Sequence, residues 1–392
     1  MKQKIHFPTV GKESVVAVIR LIAALCLLLF TLVYVLPQSG VIADKTENIF
    51  SRLSVADKKQ YNIQSISSVK KEESFVNETT TAVCEEIKNG TEFVTPSDIL
   101  IMQQEYVAAF SFLEAKGKVS QESVSTKGAT DILGNVAIRN CTAEQKPDFN
   151  ALLQKGVTLS ESNDEPLVLI FHTHTTEGYL CVDDGVFYDS FETRSRDSTK
   201  NMVRIGDEIC KVLEENSIGF IHDTAIYDES YNGAYSRSRV TVLQYLEKYP
   251  SIQIVLDVHR DAVYYSDTKR AKFVSEINGK KAAQIMIVTG AEEGLVTDFP
   301  DWEENLTFAL SLQKYAQSDY EGLMKPIYFC QRKYNMDVVP YSVLLEVGTD
   351  ANTLEEAVYS AHLFGESLSR LIKENINEKE KEKTEQHTEK QK

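Results

Sequence analysis

Leu167-Val168-Leu169-Ile170-Phe171-His172-Thr173-His174-Thr175-Thr176-Glu177 is the stretch that decides how the rest of the chain is read. Five apolar residues run without a break and then give way to two histidines and a glutamate. An unbroken apolar run suits a strand buried on both faces, as in a parallel sheet covered by helices. Ligands of such sheets gather at the carboxyl ends of the strands. The His-x-His-x-x-Glu cluster falls at that place, and imidazole and carboxylate are standard zinc donors. A single strand-end histidine would be an ordinary polar residue at a sheet edge, so the reading depends on what the other strands bring.

Two further strands repeat the pattern. Ile252-Gln253-Ile254-Val255-Leu256-Asp257-Val258-His259-Arg260-Asp261-Ala262 is apolar and closes on a histidine. Val343-Leu344-Leu345-Glu346-Val347-Gly348-Thr349-Asp350 carries a glutamate near its end, before a glycine-containing loop and a helix. Three strands are thereby expected to bring His172, His259 and Glu346 to one sheet edge, with Glu177 in the loop after the first strand. Two histidines and a carboxylate with a fourth position open describe a catalytic zinc site. A second carboxylate beside it serves as general base to a metal-bound water. His172 and His174 compete for the first ligand position. Residues i and i+2 of a strand face the same way, so alternation leaves the choice open. His172 is favoured because it directly ends the strand; His174 is then a substrate contact or a support for a ligand. Asp257 is placed to bond a ligand imidazole, as carboxylates behind metal-bound histidines do. Arg260 either orients a carboxylate or forms a sheet-edge ion pair. Arg237 and Arg239 either bind substrate carboxylates or begin a helix.

Apolar runs at 167–171, 218–222, 252–258, 284–289, 326–330 and 343–347 alternate with helical patterns at 199–215, 236–248, 303–316 and 353–373. Such alternation predicts an α/β domain with a mostly parallel sheet flanked by helices. Upstream, Ile99, Met102, Tyr106, Phe110 and Leu113 recur at helical spacing over 96–115. Residues 116–130 read as a Ser/Gly/Lys linker and 131–165 as irregular.

The chain has 392 residues, 42% of them hydrophobic, and a formal net charge of −16. The core can be large, and an acidic chain of this kind lacks the basic face that nucleic acid demands. Six cysteines at 26, 84, 141, 181, 210 and 330 include no Cys-x-x-Cys pair. They are neither a disulfide framework nor a thiolate zinc site, and Cys181 is a bystander. Residues 1–14 are short and basic, and Val15 to Leu36 is almost wholly apolar, which is long enough to cross a bilayer. Arg20 snorkels, and the basic N-terminus stays cytoplasmic by the positive-inside rule. No clear small-x-small cleavage site follows at Pro37-Gln38-Ser39-Gly40, so an uncleaved anchor is expected, with the remainder extracytoplasmic. The expected organisation is a cytoplasmic N-terminus (1–14), an anchor (15–36), a polar tether with a small, mainly helical or irregular region (37–130), the catalytic domain (131–375) and a charged tail (376–392).

Several of these segments together resemble the stage II sporulation protein P family, within the wider group of zinc-dependent N-acetylmuramoyl-L-alanine amidases. They are His172-Thr-His-Thr-Thr-Glu177, Leu256-Asp-Val-His259-Arg-Asp-Ala and Leu345-Glu346-Val-Gly-Thr-Asp-Ala-Asn-Thr-Leu354. Asn201-Met-Val-Arg-Ile-Gly-Asp207, Tyr231-Asn-Gly-Ala-Tyr-Ser-Arg-Ser-Arg239, Trp302-Glu-Glu-Asn-Leu-Thr-Phe-Ala309 and Arg332-Lys-Tyr-Asn-Met-Asp337 fit the same family. The resemblance implies a Zn2+ enzyme that cleaves the amide between N-acetylmuramic acid and L-alanine in peptidoglycan, with cleavage of peptide crosslinks associated with the type. It implies His172, Glu177 and His259 as zinc ligands and Glu346 as the catalytic carboxylate. It further implies septal wall remodelling during sporulation and engulfment, beside a glycan-cleaving partner and a membrane protein. The wider amidases carry a glycine-rich loop where this chain has His-x-His. The competing readings are a zinc peptidase or deacetylase acting on cell wall, or a non-catalytic homologue that only binds peptidoglycan.

Overall fold

The order of strands follows from which segments are apolar enough to be buried on both sides. In the computed structural model, which describes residues 93–110, 114–162, 165–188 and 193–376, the opening stretch forms β4 (Val168–Phe171), preceded in the chain by α1 (Ser97–Phe110), β1 (Gly117–Glu122), β2 (Asp131–Leu133), β3 (Val136–Asn140) and α2 (Phe149–Lys155). After it come β5 (Val186–Phe187), α3 (Met202–Glu215), β6 (Phe220–His222), α4 (Ala234–Lys248), β7 (Ile254–Asp261), β8 (Tyr264–Ser266), β9 (Lys269–Ile277), β10 (Lys280–Ala283) and β11 (Ile285–Gly290). The chain then forms α5 (Trp302–Asp319), β12 (Ile327–Cys330), β13 (Ser342–Thr349) and α6 (Leu354–Asn375). The expected anchor at 15–36 and most of the tether and tail lie outside the described residues. No helix of the described residues is long and apolar enough to cross a membrane.

The main sheet has eight strands in the order β2-β3-β12-β11-β13-β7-β4-β6. β6, β4, β7 and β13 run together, and their carboxyl ends share one edge. β11 then reverses against β13, and β12 and β3 follow β11. A smaller sheet, β10-β9-β1-β5 with β8 beside β9, joins the first where β10 runs through Gln284 into β11. Six of the eleven strand pairings are parallel and five antiparallel. The expected mostly parallel sheet is therefore corrected to a mixed α/β fold. The antiparallel members of the main sheet are the β2–β3 hairpin and β11 against β13, β11 being entered directly from β10 and not through a crossover helix.

All four residues of β4 are buried, and they sort by parity as a two-sided strand must. Val168 and Ile170 pack with Ile205, Ile209 and Leu213 of α3 and with the apolar side of α6. Leu169 and Phe171 pack with Val242 of α4, Ile252 and Val255. Each such side chain contributes about 1.5–3 kcal/mol relative to exposure. Helix ends are set by the sequence: Asn201 caps α3 by accepting from Val203 N, and Thr353 and Glu356 form a capping box on α6.

All six expected strands and the helices at 199–215, 236–248, 303–316 and 353–373 are present within a few residues. The 96–115 pattern forms α1 from 97 to 110. The expected linker at 116–130 instead contains β1, paired parallel to β9 and antiparallel to β5. The expected irregular stretch at 131–165 holds the β2–β3 hairpin and α2.

Candidate active site

Register assigns the histidines to opposite faces. Phe171 stands opposite Asp257 on β7, so the next residue, His172, is in phase with Val258, not with His259. Partnered residues of parallel strands point the same way, and Val258 belongs to the α3 and α6 side of the sheet. His172 is fully buried there. Its Nδ1 meets the Val258 carbonyl at 2.9 Å and its Nε2 meets Nε2 of His222 at 2.9 Å. The carbonyl only accepts, so Nδ1 carries the proton and Nε2 of His172 accepts from His222. Burial and then the neighbouring His222 push its pKa well below the usual histidine value. His222 Nδ1 in turn lies 3.1 Å from Asp207. Both ring nitrogens of His172, expected as the first zinc ligand, are engaged in this arrangement by the Val258 carbonyl and by His222.

His174 returns to the other face because the strand ends at Phe171 and Thr173–Thr176 form a turn. The threonines fasten that turn. Thr173 donates from N and Oγ1 to Asp257 at 2.8 and 2.7 Å, Thr175 Oγ1 to the His172 and Ala225 carbonyls at 2.8 and 2.7 Å, and Thr176 Oγ1 to Asp228 at 2.6 Å. The His174 ring lies flat on Tyr231, centroids 4.5 Å apart, and edge-on to His259 at 5.4 Å. Its Nδ1 is buried with no hydrogen-bond partner. Burial and His259 lower its pKa, keeping the ring neutral.

His259 and Glu346 are brought together by the β7–β13 register, in which they are direct partners. Both share a sheet face with Asp257 and not with Val258. His259 Nδ1 is 3.5 Å from Glu177 Oε2, and its Nε2 is 2.7 Å from Asp257 Oδ1 without hydrogen-bond alignment. Burial would lower the His259 pKa, but Asp257 and Glu177 outweigh it and raise it well above the usual value. Glu177 Oε2 accepts from Arg260 N at 3.3 Å, and Oε1 faces Arg194 at 3.3 Å. Burial opposes its charge, yet His259 and Arg260 bring the carboxyl down to about 2. Glu346 has an unpartnered, enclosed Oε2. Burial raises it to about 8, with Asp261 and Glu177 adding and His259 subtracting. A carboxyl poised near neutrality is suited to taking up and returning a proton.

The arginines are committed. Arg260 donates to the Gly178 and Thr193 carbonyls, each at 3.1 Å, and so positions the loop carrying Glu177. Arg237 donates to the carbonyls of Tyr227, Ser230 and Asn232, clamping the loop that presents Tyr231. Arg239 is bidentate to Asp337. Three residues of the site carried no role in the sequence reading: Asp228, which joins Thr176 to Arg194, and Tyr231 and Tyr235, which wall the histidines. Their four-residue spacing at the head of α4 was the available signal.

Among the described residues no three His, Cys, Asp or Glu side chains stand as a ready metal-binding group. The donor chemistry nevertheless fits zinc at His174, His259 and Glu177. His174 Nδ1 is buried without a hydrogen-bond partner, its ring lies 5.4 Å from that of His259, and His259 Nδ1 lies 3.5 Å from Glu177. His172, by contrast, has both ring nitrogens hydrogen-bonded, to the Val258 carbonyl and to His222.

The family model "Stage II sporulation protein P" matches residues 45–369. The stage II sporulation protein P of Bacillus subtilis (strain 168) is 28% identical over 230 residues, covering 56% of this chain and 54% of that protein, so the chain spans about half the length of that relative. Among solved structures, the N-acetylmuramoyl-L-alanine amidase AmiC2 of Nostoc punctiforme aligns with a TM-score of 0.33 at 13% identity, over 55% of this chain and 98% of that one. The catalytic domain of CwlV from Bacillus (Paenibacillus) polymyxa, also an N-acetylmuramoyl-L-alanine amidase, gives 0.31 at 15%, over 53% and 97%. With well over half of its 392 residues matched, the chain belongs to the stage II sporulation protein P family.

Proposed function

We propose that this chain is a zinc hydrolase of peptidoglycan that cleaves the amide between N-acetylmuramic acid and L-alanine during sporulation. The observation that carries the reading is the grouping, along one strand edge, of His174, Glu177 and His259 with Glu346, a buried carboxyl whose Oε2 has no hydrogen-bond partner. Family membership supplies the cell-wall substrate. His174, Glu177 and His259 would hold the metal, which when bound supplies an acidified water and polarises the scissile carbonyl. The residues of the chain do the rest. Glu346 takes the proton of the attacking water and returns it to the alanine nitrogen as the C–N bond breaks. Asp257 and Arg260 hold His259 and the Glu177 loop in place. Tyr231 and Tyr235 wall the site and keep His174 from turning away.

The anchor at 15–36, an extracytoplasmic catalytic domain at the septum, and association with a glycan-cleaving partner and a membrane protein are part of the same proposal. They are supported by the N-terminal apolar run and the family. Digestion of purified peptidoglycan tests the activity. The expected products are stem peptides with a free N-terminal alanine, lost on chelation and restored by zinc. Release of acetate, or of crosslink fragments alone, would overturn the amidase reading.

A further inference from the structure

Beside a metal that polarises the carbonyl, amide hydrolysis gains from a protein hydrogen-bond donor to the oxygen that becomes negative when water adds. Removing one such donor from an enzyme costs about 10²–10³ in rate. The donors around the strand ends are nearly all spent. Arg260, Arg194 and Arg237 serve carbonyls and carboxylates, and Thr173, Thr175 and Thr176 serve Asp257, two carbonyls and Asp228. Tyr235 is the exception. Among the described residues nothing hydrogen-bonds to its hydroxyl, although its ring is closely held. The ring stacks on His259 at 6.3 Å and 13°, stacks on Tyr334 at 5.1 Å and 23°, and meets His174 edge-on at 5.6 Å. The backbone beneath it is fixed as well, since the Tyr235 carbonyl accepts from Asn335 Nδ2 at 3.0 Å and from Ser238 Oγ at 3.2 Å.

We propose that Tyr235 is a catalytic residue whose hydroxyl donates a hydrogen bond to the carbonyl oxygen of the scissile amide as it becomes an oxyanion. The inference rests on the amidase reading above and adds to it the residue that stabilises the transition state. In the balanced step the water oxygen bonds to the carbonyl carbon and the water proton passes to Glu346. The carbonyl π pair moves onto oxygen, where Tyr235 meets it without giving up its proton. Collapse re-forms C=O, breaks C–N, and the amine leaves with the proton from Glu346. Tyr231 is a poorer candidate, being 64% exposed and lying flat on His174.

Tyr235→Phe keeps the ring stack and removes only the hydroxyl. The full chain would be assayed on a soluble muramoyl-peptide, with affinities measured for two probes: a phosphinate that replaces the scissile amide, and a hydrolysis-resistant N-methyl amide of the same length. The expected result is a fall in kcat of about 100-fold, KM within about twofold, a matching loss of phosphinate affinity and unchanged N-methyl amide affinity. Metal content and melting temperature should equal those of the unmutated chain. A kcat within threefold of the unmutated chain, or a rise in KM with kcat intact, would overturn the proposal and leave Tyr235 as a wall. Failure of the unmutated chain to cleave the amide would instead break the amidase reading. The phosphinate comparison would then still decide the matter, since equal affinity in the two proteins overturns the role of Tyr235.

Discussion

Two histidines two residues apart occupy opposite surroundings. His172 is sealed beneath α3, with one nitrogen on a carbonyl and the other on His222. His174 is only slightly less buried, yet its Nδ1 has no partner and its ring is held by stacking on Tyr231. The first has its hydrogen-bonding capacity filled by the fold. The second has capacity held open. An unfilled buried polar atom costs about 1–3 kcal/mol, which is tolerable where a ligand completes the site. The same contrast separates His222, tied to Asp207, from Glu346, whose Oε2 is enclosed and unpartnered. Structural polar groups are thus on the α3 side of the sheet and chemically available ones on the α4 side.

The largest effect expected from breaking this contrast is at Glu346. Glu346→Gln should reduce peptide release by at least about 10³-fold while zinc content stays unchanged, measured by product chromatography beside metal analysis. Retained turnover would remove Glu346 from the chemistry. Next come the two histidines as a pair. His174→Ala should lose zinc and activity with little change in the denaturant midpoint of the metal-free protein. His172→Ala leaves a buried void and an unpaired Val258 carbonyl, and should destabilise by about 2–4 kcal/mol while a folded remainder still binds zinc.

A smaller effect is expected at Gly206. A Cβ there would come within 2.3 Å of His222 Nε2 and 2.8 Å of His172 Nε2. Gly206→Ala should therefore cost about 1–3 kcal/mol in urea unfolding, with zinc content unaltered. An unchanged midpoint would mean that the histidine pair is looser than its 2.9 Å spacing indicates. The smallest effect concerns Asp337, at the far side of the Tyr235–Tyr334 wall. Burial opposes its charge, but Arg239 and Lys333 lower its pKa below the usual carboxylate value. Its folded pKa is the depressed one, so its contribution is present above about pH 4 and is lost as pH falls through the folded value. Asp337→Asn should therefore lower stability near neutral pH by about 1 kcal/mol or less and flatten the acid limb of the stability curve. Urea midpoints across that pH range would check it.

Much of the fold could be read because β4, β7, β11, β12 and β13 are apolar runs, and burial on both faces leaves that mark wherever it occurs. Direction leaves no such mark. Ile285–Gly290 reads the same whichever way it pairs, so the reversal at β11 was invisible. The smaller sheet escaped for the opposite reason. β1 is Gly-Lys-Val-Ser-Gln-Glu, half-exposed, and its pairing with β9 comes from a partner about 150 residues away. In the site, His259 and Glu346 were picked out near strand ends and Glu177 in the loop after the first strand, and the fold places the three beside one another. His172 was favoured over His174 because it directly ends the strand, a criterion that takes no account of which face of the sheet the ring enters. The phase against β7, with Phe171 opposite Asp257, separates His172 from His259, but that register exists only once the strands are paired.

The central claim is that the metal histidine is His174 and not His172. Zinc stoichiometry of the purified His172→Ala and His174→Ala proteins, taken on the folded fraction of each, tests it most directly. The account predicts close to one zinc per chain for His172→Ala and essentially none for His174→Ala. The reverse pattern, with zinc kept by His174→Ala and lost from His172→Ala, would contradict it.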